Sequence, residues 1–70
     1  MLTRLLRLPE VKQQTGLSRS SIYAKMAEGT FPLTIRISNR AVAWIEEEIQ
    51  AWIRKQIGNK PDGDLLPEPL

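Results

Sequence analysis

The chain has 70 residues, which is enough for one domain and too few for two. It contains neither cysteine nor histidine, so disulfide staples, thiolate metal sites and imidazole general bases are excluded. Residues 1–45 carry seven basic and two acidic side chains, a net charge of +5, whereas residues 46–70 carry three basic and six acidic ones, a net charge of −3. A basic segment of this kind suits a polyanionic partner, although ordinary surface charge would give the same pattern.

Membrane proteins and enzymes are the classes that the sequence disfavours most. The apolar runs are only a few residues long, and residues 1–7 lack the long apolar core of a signal peptide. The adjacent acids of Glu46–Glu48 would point about 100° apart on a helix, so they do not converge on a metal or a substrate. We therefore expect a cytoplasmic, non-enzymatic protein without metal, cofactor or membrane contact.

Two helices joined by a short turn are predicted in the first half of the chain. A helix from about Pro9 to Gln14 is favoured because proline suits the first helical turn, and Gly16 can end it in the left-handed conformation. Ser18 is a strong N-cap for a second helix, from about Arg19 to Glu28, and Gly29 ends that helix.

A β-hairpin and a third helix are predicted in the second half. Thr34–Ile37 and Ala41–Trp44 have the pattern of two short strands, and Ser38–Arg40 forms the turn between them. A helix then begins near Glu46, where the acidic side chains complement the positive end of the helix dipole, and Gly58 ends it.

The predicted organisation is one domain over residues 1–57, followed by a flexible acidic, proline-containing tail over residues 58–70. The domain is mainly α-helical with a small β-hairpin. The predicted single core consists of Val11, Leu17, Ile22, Met26, Phe31, Ile37, Trp44, Ile49, Trp52 and Ile53.

Two groups of residues suggest contact with nucleic acid. Hydroxyls, a guanidinium and free backbone N–H groups crowd the start of the second helix at residues 18–21, and all of them favour phosphate oxygens; Tyr23 follows one turn later. Arg36 and Arg40 lie on the hairpin, where arginines can reach a minor groove. Taken separately, each group also fits a plain alternative: a capped surface helix and a solvated hairpin.

Five ordered motifs over about residues 4–57 resemble the AlpA family of prophage regulators. They are Arg4–Val11, Thr15–Tyr23, Gly29–Pro32, Arg40–Trp44 and Glu48–Ile53. The resemblance implies a winged helix-turn-helix of the MerR or excisionase type, with three helices and a two-stranded wing. It also implies a transcriptional regulator of prophage or integrative-element genes, acting on double-stranded DNA.

The resemblance places Arg19, Ser20, Tyr23 and Ala24 against the major groove and makes Arg40 the arginine of the wing. Together with the two groups above, the expected DNA-binding residues are Ser18, Arg19, Ser20, Ser21, Tyr23, Ala24, Arg36, Asn39 and Arg40.

Two other functions stay open at this point. An excisionase-type architectural protein would use the same surface to bend DNA at several adjacent sites and to contact an integrase. A protein-interaction adaptor would instead use the last helix and the tail. Self-association, as a dimer or a cooperative array, is compatible with either form of DNA binding.

Overall fold

A computed structural model describes residues 3–58 of the chain. Its elements are β1 (Leu5–Leu6), α1 (Leu8–Thr15), α2 (Arg19–Glu28), β2 (Ile35–Ser38), β3 (Ala41–Ile45) and α3 (Glu46–Gly58). This is a helix-turn-helix followed by a hairpin wing and a closing helix, so the predicted winged helix-turn-helix is confirmed. The predicted tail lies outside the described residues, apart from Gly58 at the end of α3.

The ends of α1 and α2 lie where local backbone chemistry predicts them. Gly16 and Gly29 both adopt the left-handed conformation, with φ of 75° and 80°. Their N–H groups donate to carbonyls of the helix each one follows, Gly16 to Lys12 and Gly29 to Met26. A residue with a Cβ is strained at such a φ, which is why glycine ends both helices.

A short strand, β1, was not predicted and extends the hairpin into a three-stranded antiparallel sheet in the order β1-β3-β2. Leu5 pairs with Ile45 and Leu6 with Trp44. A two-residue strand shows no alternation in sequence, so only its pairing with β3 identifies it. Next to it, the N–H of Glu46 donates to the carbonyl of Arg4 at 2.8 Å, which joins this strand to the start of α3.

The core lies between one face of the sheet and the three helices. Its buried members are Leu6, Val11, Ile22, Phe31, Trp44 and Ile49, and Leu8, Leu17, Met26, Trp52 and Ile53 pack against them half-buried. Nine of the ten predicted core residues are therefore in the core or packed against it.

Ile37 is the exception, and its prediction as a core residue was wrong. Its side chain is 43% exposed. Arg36 pairs with Val42 but Ser38 pairs with Ala41, so Ile37 is an extra residue bulged out of the ladder. The bulge breaks the alternation on which the prediction rested and leaves Ile37 without a cross-strand partner.

The connection between α2 and β2 is held by the two indoles of the chain. Trp44 donates its Nε1–H to the carbonyl of Pro32 at 3.1 Å, and Trp52 donates to that of Thr30 at 2.8 Å. Phe31 lies in the chain between the two residues that accept these bonds. Its ring packs edge-on against the Trp52 ring, with 4.9 Å between the ring centroids. This connection therefore fixes where β2 begins relative to α3.

No helix within residues 3–58 is long and apolar enough to cross a membrane.

Candidate nucleic-acid interface

The turn between α1 and α2 is held by backbone and side-chain bonds. Thr15 donates its hydroxyl to the carbonyl of Val11 at 2.7 Å and accepts the N–H of Leu17 at 3.2 Å. Leu17 packs half-buried against the core just before α2 begins. These contacts fix the direction in which α2 leaves the turn.

At the start of α2, Ser18 is the N-cap that the sequence predicts. Its hydroxyl oxygen accepts the N–H of Ser21 at 3.1 Å, and its hydroxyl lies 3.1 Å from that of Ser21. The two serines are thus engaged with each other, and their bonds hold the first turn of α2. The N–H groups of Arg19 and Ser20 precede the first intrahelical bond, so they are left for an external acceptor.

The exposed side chains of α2 begin immediately after this cap in the sequence. Arg19, Ser20, Tyr23 and Ala24 are all exposed, whereas Ile22 is fully buried beneath them. Ser20 and Ala24 are four residues apart and share one face of the helix. The four residues expected to face a major groove therefore lie on the solvent side of α2.

A stack of three side chains links α2 to the sheet. The Arg19 guanidinium carbon lies 5.4 Å from the centre of the Tyr23 ring, within the range of a cation–π contact. The Tyr23 ring in turn meets the buried Trp44 ring edge-on, at 6.2 Å between centroids. Tyr23 is 38% exposed, so it has one side against the core and one side under a charged, accessible arginine.

The support that Trp44 gives to Tyr23 could not be found from sequence. The two residues are far apart in the chain, and the sequence placed Trp44 in the core without indicating what it would touch. Only the packing of α2 on the sheet brings the rings together.

Strand pairing determines which residues of the wing, here the hairpin Ile35–Ile45, lie on the face of the sheet that this stack contacts. Arg36 pairs with Val42, and Val42 is two residues from Trp44 on β3, so all three share one face. Because Trp44 contacts Tyr23 on that face, Arg36 lies on the face of the sheet that meets α2.

The tip of the wing carries the other two predicted residues. Asn39 and Arg40 form its two-residue turn, and both are exposed. The Arg40 N–H donates to the Ser38 hydroxyl at 3.3 Å, a long bond that gives the turn little support. Within residues 3–58, no hydrogen bond or ion pair joins Arg36, Asn39 or Arg40 to α2.

The electrostatics of this surface favour an anion. Within the described part of the chain, the ion pairs involve only Arg4, with Glu10 at 2.9 Å and Glu46 at 3.6 Å. The guanidinium groups of Arg19, Arg36 and Arg40 are therefore free of carboxylate partners there. The acids of the last helix lie at the start of α3, outside this surface.

Glu10 serves the scaffold and not the interface. Its carboxylate accepts the backbone N–H of Arg7 at 2.9 Å. That bond, helped by the nearby guanidinium of Arg4, holds the pKa of Glu10 below its ordinary value. Among residues 3–58, no group of three acidic side chains gathers closely enough to hold a metal ion.

Comparison with known proteins gives consistent matches. The sequence model of the family described as "Prophage CP4-57 regulatory protein (AlpA)" matches residues 4–57. The uncharacterised protein ORF88 of enterobacteria phage P4 is 40% identical over 60 residues, covering 86% of this chain and 68% of ORF88. The DNA-binding transcriptional activator AlpA of Escherichia coli (strain K12) is 37% identical over 59 residues, covering 76% of this chain and 84% of that protein.

Proposed function

The chain belongs to the AlpA family of prophage regulatory proteins, and on that premise we propose that it binds double-stranded DNA and regulates transcription of prophage or integrative-element genes. Its Escherichia coli relative AlpA supports this proposal, because that protein is a DNA-binding transcriptional activator. The structure adds one supporting observation: the four residues of α2 expected to face a major groove are exposed, and within residues 3–58 the guanidinium groups of Arg19, Arg36 and Arg40 have no carboxylate partner.

In the proposed complex, the N-terminal end of α2 enters the major groove. The free N–H groups of Arg19 and Ser20 meet a phosphate, as the start of a helix does in many helix-turn-helix proteins. Ser20, Tyr23 and Ala24 then face the base edges. Since serine and alanine offer few hydrogen bonds, phosphate contacts and DNA shape supply much of the affinity.

The wing provides the second contact. Arg40 at the tip reaches towards the minor groove, where the negative potential is strongest, with Asn39 beside it and Arg36 nearer to α2. The bulge at Ile37 increases the local twist of β2 and so changes the angle at which the tip leaves the sheet.

Selection of bound sequences from a random DNA pool, followed by titration of the selected site at several salt concentrations, tests the proposal. With five or six phosphate contacts, the slope of log K against log salt should be roughly −4 to −5. Arg40→Ala should weaken binding about tenfold and reduce the slope by about 1. Arg54→Ala is the matched control, because it removes the same charge from an exposed residue of α3 that is not among the nine expected DNA-binding residues.

Three results would contradict the proposal or one of its parts. If the selection returns no enriched sequence and retention is independent of salt, the chain is not a DNA-binding protein. If Arg40→Ala and Arg54→Ala have the same effect, Arg40 has no role in the wing. Substitutions of Ser20 or Ala24 should in addition shift the selected sequence, and an unchanged sequence would remove α2 from the groove.

Footprinting on the native element separates regulation from an excisionase-type role. A protected site next to a promoter supports the proposed regulator. A cooperative array of sites at an attachment region would instead indicate an architectural protein.

A further inference from the structure

An open apolar groove lies between α3 and the segment that joins α2 to β2. Phe31, Leu33 and Ile35 form one wall, and Leu33 is 62% exposed there. None of the nine expected DNA-binding residues lines this groove. Leu33 and Ile35 are exposed apolar side chains, and covering them would remove apolar surface from water.

The other wall of the groove is a stripe on α3. Glu48, Ala51 and Lys55 all line it, and they follow one another at spacings of three and four residues along one side of the helix. All three are exposed. Glu48 and Lys55 are seven residues apart, about 10 Å along the helix axis, so they are too distant to pair with each other.

We infer that a second copy of this chain occupies the groove, with its α3 antiparallel to the first across a twofold axis near Ala51. Each Glu48 then faces Lys55 of the second copy, which gives two identical ion pairs. Ala51 has a small side chain, so the two helices can approach closely at the crossing. Leu33 of each copy is covered by the ends of the opposing helix.

The charge pattern is what selects a second copy as the occupant. A stripe with an acid at one end, a base at the other and a small residue between them is self-complementary in the antiparallel direction. Within residues 3–58, neither Glu48 nor Lys55 has an ion-pair partner. A nucleic acid is disfavoured here, because Glu47 and Glu48 at the start of α3 would repel phosphates.

Such a dimer would cover Ile35 and Ile45 at the base of the wing, but it would leave α2 and the tip of the wing accessible in both copies, because none of the expected DNA-binding residues lines the groove. Two reading surfaces related by a twofold axis match two half-sites on one duplex, and this doubles the contacts that one small domain can offer. The inference concerns a contact formed without DNA, so it can be tested separately from the proposed function.

Sedimentation equilibrium of the full chain, over a wide range of protein concentrations and without DNA, is the test. The wild type should form a dimer. Glu48→Lys should weaken the association at least tenfold, because it replaces two ion pairs with two like-charge contacts. Lys55→Glu should do the same, and the double variant Glu48→Lys/Lys55→Glu should restore dimerisation to near the wild-type level.

Glu47→Lys is the matched control. It makes the same charge change at a neighbouring position of the same helix turn, but Glu47 does not line the groove. It should leave the association unchanged, and circular dichroism of each variant checks that α3 still forms. Leu33→Ser, which leaves all charges in place, should also weaken the dimer.

A monomer at every concentration overturns the inference and leaves the groove to a different protein. A dimer that tolerates both single reversals, or that the double variant fails to restore, overturns this arrangement of α3. Binding of the single variants to one half-site of DNA distinguishes the two proposals. If the monomeric variants still bind it, DNA binding stands whatever the outcome for the groove.

Discussion

The helix α2 and the wing are held in very different ways, although the proposed function gives both a place on DNA. The first turn of α2 is capped by Ser18, and its inner face is locked by the fully buried Ile22. The wing extends past the core: every residue of β2 is exposed, and beyond the pairing of Ser38 with Ala41 its tip has one long side-chain bond, from the Arg40 N–H to the Ser38 hydroxyl. We therefore expect α2 to be rigid and the tip of the wing to adjust its position more easily.

This difference suits a protein with few base-reading side chains. A fixed helix sets the register on the duplex, while a weakly supported tip can follow the width of the minor groove from site to site. Substitutions in α2 should therefore change stability and DNA binding together. Substitutions at the tip of the wing should change DNA binding alone.

The largest expected effect comes from Trp44, because this residue supports both regions. Trp44→Ala should lower the free energy of unfolding by about 3–5 kcal/mol, since it removes a fully buried ring and leaves a cavity. A domain of this size has little more stability than that to lose. Urea denaturation followed by far-UV circular dichroism measures it.

Trp44→Phe is the control for the ring itself. It keeps an aromatic contact for Tyr23 but leaves the carbonyl of Pro32 without its donor, so its cost should be smaller, about 1–3 kcal/mol. Equal losses for the two variants would show that the hydrogen bond, and not packing, carries the contribution of Trp44.

Ser18 in α2 and Ser38 in the wing each accept a backbone N–H, so alanine substitutions at these two residues compare the two regions directly. Ser18→Ala should cost about 1 kcal/mol of unfolding free energy, because the N–H of Ser21 loses its acceptor. Ser38→Ala removes the acceptor of the Arg40 N–H in the wing and should cost less than about 0.5 kcal/mol, as most exposed changes do. Thermal denaturation of both variants measures these losses of stability. A larger loss for Ser38→Ala than for Ser18→Ala would show that the wing, and not α2, is the more firmly held region.

Substitutions of Tyr23 test whether its ring positions Arg19 for DNA binding. Tyr23→Leu should weaken binding to the selected DNA site by about 0.5–1 kcal/mol, or roughly twofold to fivefold, because Arg19 loses its aromatic platform. Tyr23→Phe keeps the ring and should retain that part of the affinity. The comparison is made by fluorescence anisotropy on one labelled duplex.

A loss of similar size for both variants at Tyr23 would mean that its hydroxyl, and not its ring, contributes to binding. An effect of Tyr23→Leu that disappears in the Arg19→Ala background would confirm that the ring acts through Arg19.

The smallest effect is expected at Glu10, which supports the start of α1. Its pKa is lowered in the folded state, so the stability that its carboxylate contributes is present above the unfolded-state pKa. That contribution is lost as the pH falls through the folded-state pKa. Glu10→Gln should therefore be less stable than the wild type at neutral pH, and the difference should disappear in acid.

Chemical denaturation at neutral and acidic pH checks this pH dependence. The control is Glu28→Gln, which makes the same substitution at the exposed end of α2, away from the start of α1. A stability difference at Glu10 that persists at acidic pH would mean that the amide disturbs α1 for some reason other than charge.

The sequence by itself determined the helices and their ends, because those depend on interactions within a few residues. Gly16, Ser18 and Gly29 each act on the backbone groups nearest to them, and the structure places the boundaries of α2 where they predict. The exposure of the four groove-facing residues follows from the same helix, once Ile22 is assigned to the core.

Only the tertiary structure decided the sheet and what it brings together. The strand β1, the bulge at Ile37 and the contact of Trp44 with Tyr23 all depend on pairing between distant segments, and nothing local in the sequence marks such pairing. A one-residue change of register moves a side chain from one face of a strand to the other. The exposed position of Ile37, and the position of Arg36 on the face of the sheet that contacts α2, were therefore fixed by the fold and not by the sequence pattern.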